Sequence, residues 1–124
     1  MYKGYNADLP IRDSLKQIYI NTLKYRLKHY NESVFIDQYI QSNYVQLNFV
    51  KQVKEFEEQN KPLYDLIKRG QSDGVITQLA PFTLISFING AIRSSSNGIA
   101  QKLIPLKKQT IHACFDMVWK GIAS

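Results

Sequence analysis

The chain has 124 residues, 44% of them apolar, with eight Tyr, six Phe, one Trp and one Cys; this is enough for one domain with its own core, and a single Cys excludes an internal disulfide. The net charge of +6 divides into roughly +4 over residues 1–30, −3 over 31–60, +1 over 61–79 and +4 over 80–124. No segment therefore concentrates positive charge as a nucleic-acid-reading motif would.

No apolar run reaches bilayer length, and the opening MYKGYNADLP lacks the apolar core of a signal peptide. With one Cys, this leads to the expectation of a soluble cytoplasmic protein. In chain order, Asp8 is placed to cap a first helix over 9–30, with Pro10 in its first turn. Leu15, Ile18, Tyr19, Leu23 and Leu27 recur there at three- and four-residue steps. Asn31 can cap a short second helix, 32–42, with Phe35, Ile36, Tyr39 and Ile40 on its apolar side. A third stretch, about 45–60, gathers Phe49, Val50, Val53 and Phe56. Pro62 kinks that helix or opens the next, which continues to Gly70.

GQSDG, at 70–74, is a loop by composition, and GVITQL after it is too short and isolated to predict a strand. Pro81 opens a fourth apolar segment, PFTLISFINGAIRSS, which Ser94–Gly98 is expected to stop. Pro105 is expected to open the last helix, ending near Trp119 or Gly121. The expectation is an all-α bundle of five to six helices. The segment from Pro81 is apolar nearly all round, so both of its sides need cover. One side fits the domain's own core, and the other fits a second chain.

The tail HACFDMVWKGIAS places His, Cys and Asp close in sequence. On a helix, His112 and Cys114 point about 200° apart and cannot form a nucleophile pair. Cys114 falls in the apolar series Ile111, Cys114, Phe115, Val118, Trp119 and reads as a packing residue. His112 and Asp116 share a face at an i,i+4 spacing, which suits a surface pair better than a metal site. Serine elbow, phosphate-cradling glycine loop and Cys-x-x-Cys are all missing, so no catalytic residue, metal ligand or cofactor is predicted, and the chain is not read as an enzyme. Tyr19, Tyr39, Phe56, Tyr64 and Phe87, expected on inward faces, either line an apolar small-molecule pocket or fill a core.

The order YNESVFIDQYIQSNYV, NKPLYDLIKRGQSDGVI, PFTLISFINGAIRSSS and FDMVWKGI resembles the C-terminal regulatory domain of TetR-family (tetracycline-repressor-like) transcription factors. Leu66-Ile67 before Gly70, Gly74-Val75-Ile76, Gly90-Ala91 and Trp119-Lys120-Gly121 carry most of the likeness, which spans nearly the whole chain. The family's helix-turn-helix signature does not precede YKGYNADLP, so contact with DNA is expected only through a missing N-terminal domain. The resemblance implies a homodimer in which helices 81–96 and 105–121 pair with their mates as a four-helix bundle. Ile88, Ile92, Ile111, Phe115 and Trp119 are the candidate seam, although Trp119 fits equally against its own domain. It also implies a small-molecule effector held among the remaining helices. The rival reading is a helical dimeric interaction protein with no effector pocket.

Overall fold

Helix α1, Ile11–Lys28, buries a stripe of Ile11, Leu15, Ile18, Tyr19 and Leu23 at the spacing expected of one helical face. The computed structural model describes residues 10–43, 54, 55 and 57–124, and only the backbone at 37 and 39–43. Asp8, the expected cap, lies outside the described residues. The cap position is held by Pro10, whose carbonyl accepts the Ser14 amide at 3.0 Å. His29 alone separates α1 from α2, Tyr30–Asn43. Its amide still donates to the Tyr25 carbonyl, at 3.0 Å, while its φ of −115° and ψ of 43° turn the chain. Asn31 therefore sits inside the first turn of α2 and does not cap it. Phe35 and Ile36, expected on the apolar side, are exposed among the described residues.

Most of the expected third helix lies outside the described residues, but residues 54, 55 and 57–59 are helical and lead to Asn60. The Asn60 carbonyl accepts the amides of Leu63 and Tyr64, both at 3.0 Å, and starts α3, Lys61–Ser72, with Pro62 in its first turn. Pro62 thus opens a helix. Helix α4 spans Pro81–Ala100 and α5 spans Lys108–Ile122. The described residues are all-α: α1 packs against α3, α4 and α5, and α3 packs against α4.

Helices α3 and α4 end alike. After α3, the Gly70 carbonyl accepts the Val75 amide at 2.9 Å and Gly74 turns at a φ of 77°. After α4, the Gly98 carbonyl accepts the Leu103 amide at 2.8 Å and Lys102 turns at a φ of 62°. Both are left-handed helix stops in which a hydrogen bond from beyond the turn satisfies the last carbonyls. In each, an isoleucine folds back over the glycine. A Cβ on Gly70 would lie 2.5 Å from Ile76 Cδ1, and one on Gly98 would lie 2.5 Å from Ile104 Cδ1.

Two outcomes follow from these stops. Gly70→Ala wedges a methyl group against the fully buried Ile76 and should lower the unfolding free energy by about 1–3 kcal/mol in urea titration. Lys102→Gly relieves a left-handed lysine and should raise it by about 1 kcal/mol.

The expected stop at Ser94–Gly98 is not observed, because α4 continues to Ala100. Ser, Asn and Gly are poor helix formers, each roughly 0.5–1 kcal/mol worse than Ala, so this stretch needs outside support. It receives it from α1. Arg26 Nε donates to Ser96 Oγ at 3.2 Å, and Ser96 Oγ donates to the Arg93 carbonyl at 2.9 Å. Pro105 likewise does not open α5, which begins three residues later, at Lys108. GVITQL forms no strand. Ile76 makes a lone antiparallel bridge to Ala123, with the Thr77 amide donating to the Ile122 carbonyl at 2.8 Å. This ties the turn after α3 to the end of α5.

Candidate functional site

Helices α4 and α5 lie side by side and present two faces. Inward, Ile85, Ile88 and Ile92 of α4 meet Phe115, Val118 and Ile122 of α5 in the protomer's own core. Ile88, Ile92 and Phe115, three of the five seam candidates, are 2%, 3% and 0% exposed and so are covered within one chain. Ile111 and Trp119 are half-buried and pack against the same core. Outward, Phe87 is 52% exposed and Met117 is 70% exposed. The Phe87 ring lies over Gly121, where a Cβ would stand 3.2 Å from its edge, and Gly90 opens to empty space. Phe87, expected on an inward face, is therefore part of a two-helix outer surface. Its helical phase held the signal, since Phe87 is about 200° from Ile85. Met117 is likewise about 200° from Phe115.

The interior between α1 and α4 is lined by polar groups as well as aliphatic ones. Tyr19 is 1% exposed, meets Phe115 edge-on with ring centroids 5.5 Å apart, and its hydroxyl sits 3.5 Å from Ser95 Oγ. At the next residue of α4, the Arg26–Ser96 hydrogen bond continues this polar line. Tyr64 of α3 is also in the core, at 4% exposure. The side chain of Tyr39 and all of Phe56 lie outside what the structure describes. A shallow crevice of about 270 Å³ lies at the joint of α1 and α2, lined by Leu27, His29, Tyr30 and Glu32 among others. His29 stacks on Tyr25 at 4.6 Å there, and its Nδ1 lies 3.7 Å from Glu32 Oε2.

Burial raises the Tyr19 phenol above its usual value of 10.0; the Ser95 hydrogen bond opposes this in part and Cys114 adds to it. Burial, and then the charge of Glu57, raise Tyr64 in the same direction. A phenol that holds its proton more tightly when folded contributes fully below pH 10 and loses that contribution as pH rises through the folded value. The unfolding free energy should therefore fall as pH rises above about 10, and Tyr19→Phe should make the fall shallower.

Asp116 does not pair with His112. It accepts a hydrogen bond from Arg12 Nη2 at 2.6 Å, and the Arg12 guanidinium also stands 5.4 Å over the Phe115 ring. This contact, which local spacing could not show, ties the start of α1 to α5. Cys114 is half-buried against the core and forms no disulfide. Among the described residues no cluster of three metal-ligating side chains occurs, and no helix is long and apolar enough to cross a membrane.

The described residues thus form a helical bundle in which α1 packs against α3, α4 and α5, and α4 and α5 carry the exposed Phe87 and Met117 on their outer side. The tetracyclin repressor-like, C-terminal domain family matches residues 1–124, and the chain belongs to it. The fold is also similar to a solved structure from Vibrio parahaemolyticus described as a transcriptional regulator of the TetR family. The TM-score is 0.74 at 19% identity, over 99% of this chain. This chain spans 65% of that protein's length. No curated protein matches the sequence.

Proposed function

We propose that the chain is the effector-sensing and dimerisation domain of a bacterial TetR-like transcriptional regulator and acts without catalysis. The observation that carries this reading is the outer face of α4 and α5, where Phe87 and Met117 stand exposed on neighbouring helices around Gly90 and Gly121. Gly90, open to empty space, permits close helix approach beside the exposed Phe87 and Met117, and a second copy of the same face is their natural cover. The seam is thus assigned to Phe87 and Met117, with Ile88, Ile92 and Phe115 forming the wall behind them.

The effector is assigned to the space between α1, α3 and α4, where Tyr19, Tyr64, Arg26 and Ser95 set polar groups into an aliphatic wall. Such a lining suits a mainly apolar molecule with a few hydrogen-bonding groups. DNA would be met through a separate head domain, with effector binding shifting the balance between two head spacings. The close packing of Tyr19 against Phe115 favours a second reading, a helical dimer with a filled core and no effector.

Thermal unfolding with a panel of apolar aromatic and lipid-like compounds separates the two readings. An effector should raise the melting temperature progressively with concentration, since binding to the folded state alone stabilises it. The Tyr19→Ala variant should lose that response. A panel that leaves the melting temperature unchanged at millimolar concentration supports the filled core.

A further inference from the structure

The connection between α4 and α5 is unusual for its exposed apolar content. Leu103 and Leu106 are 76% and 67% exposed, more than most apolar side chains of the described residues. They are not loose. The Leu103 and Ile104 amides both donate to the Gly98 carbonyl, at 2.8 and 3.1 Å, and Ile104 covers Gly98, which leaves its neighbours pointing away from the core. Lys102, Lys107 and Lys108 frame the two leucines, all three exposed.

The position of this loop follows from the fold. Gly70 and Ile76 meet Ile11, so the end of α3 lies beside the start of α1. Arg26 meets Ser96, so the ends of α1 and α4 lie together. The loop after α4 and the residues before α3 therefore share one end of the bundle. Those residues include Glu55, Glu57 and Glu58, all exposed. Among the described residues none of the three lysines or the three glutamates forms an ion pair. One end of the protomer thus carries a basic, leucine-bearing loop and an acidic stretch, complementary but unjoined.

We propose that Leu103 and Leu106, framed by Lys102, Lys107 and Lys108, dock on the acidic stretch Glu55, Glu57 and Glu58 of a second copy of this chain. The inference rests on the dimer reading above and extends its seam from the α4–α5 face to the connecting loop. Two copies of the loop do not meet each other, because six lysines would be brought together. A two-fold axis running along the helices instead sets the equivalent ends of both copies level, so each gives one loop and receives one. The leucines supply buried apolar area and the charges set the register. A left-handed lysine at 102, where glycine would relax the turn, is consistent with a charge used at that point.

Charge reversal tests this in both directions. One chain carries Lys102→Glu, Lys107→Glu and Lys108→Glu; the other carries Glu55→Lys, Glu57→Lys and Glu58→Lys. All six positions are exposed, and circular dichroism melting checks that both variants fold. Alone, each should self-associate at least about 10-fold more weakly than the unmodified chain in sedimentation equilibrium at low salt, since both of its contacts become repulsive. Mixed one to one, they should form a heterodimer of near-unmodified affinity, because both contacts are attractive again. An unmodified dimer with either variant associating normally, or a mixture that gains nothing, overturns the docking and leaves the α4–α5 dimer standing. An unmodified chain that is monomeric removes the dimer reading itself, and the docking with it. Binding of the unmodified chain to vesicles of anionic phospholipid that is lost in Leu103→Ser/Leu106→Ser, with the dimer unchanged, would also overturn it and assign the loop to a membrane surface.

Discussion

Phe115→Ala should lower the unfolding free energy of the protomer by about 3–5 kcal/mol, the range for removing a fully buried aromatic ring. Phe115 is 0% exposed and meets three features at once: the Tyr19 ring edge-on with centroids 5.5 Å apart, and the Arg12 guanidinium and Lys16 ammonium 5.4 and 5.9 Å from its ring centroid. Its removal opens a cavity where α1 crosses α5 and loosens the Arg12–Asp116 contact beside it. For a domain of this size the loss is a large part of the whole stability, so the variant is marginal at room temperature. Urea titration at low protein concentration, where association contributes least, reads the effect. A ring at a dimer seam would behave differently, weakening association while leaving the protomer almost as stable as before.

The second large effect is expected on the opposite face. Phe87→Glu combined with Met117→Glu should weaken self-association at least about 100-fold, which corresponds to roughly 2.8 kcal/mol. A two-fold interface repeats every substitution, so the pair would place four carboxylates in one apolar seam. Each loses hydration without gaining a partner, and the cost of several unpaired charges exceeds that loss of affinity comfortably. The protomer should melt nearly as before, apart from the cover that the Phe87 ring gives Gly121. Sedimentation velocity across a micromolar dilution series measures the change. The contrast between the Phe115 and Phe87 variants, one losing stability and the other association, separates the two faces of the same helix pair.

Much of the architecture was legible from the spacing of apolar residues. The stripe from Leu15 to Leu23 and the first-turn proline at 81 report local preferences, and the structure follows them; the loop expected at Gly70–Gly74 is shorter, because α3 runs on to Ser72 before Gly74 turns the chain. The errors fell where tertiary contacts override those preferences. Ser94–Gly98 reads as a stop because its residues are poor helix formers, but Arg26 reaches across from α1 and holds the helix through Ser96. Pro105 reads as a helix opener, yet the Leu103 and Ile104 amides bound to Gly98 delay α5 to Lys108.

The site was less legible, for a geometric reason. Helix α4 carries apolar residues around most of its circumference, so composition shows that two covers are needed and does not show which residues belong to each. Ile88 and Ile92, candidates for the partner seam, are buried within the protomer, while Phe87, expected inside, is 52% exposed. Phase relative to the most buried position, Ile85, carries that information. The Arg12–Asp116 pair, 104 positions apart in the chain, had no local signal at all.

The most direct test of the central assignment is the mass of the unmodified chain by sedimentation equilibrium from about 1 to 100 μM, concentrations over which a typical dimer seam is populated. The outer face of α4 and α5 predicts twice the 14.4 kDa chain mass across most of that range. A single 14.4 kDa species throughout would contradict it and leave Phe87 and Met117 as surface residues with no partner.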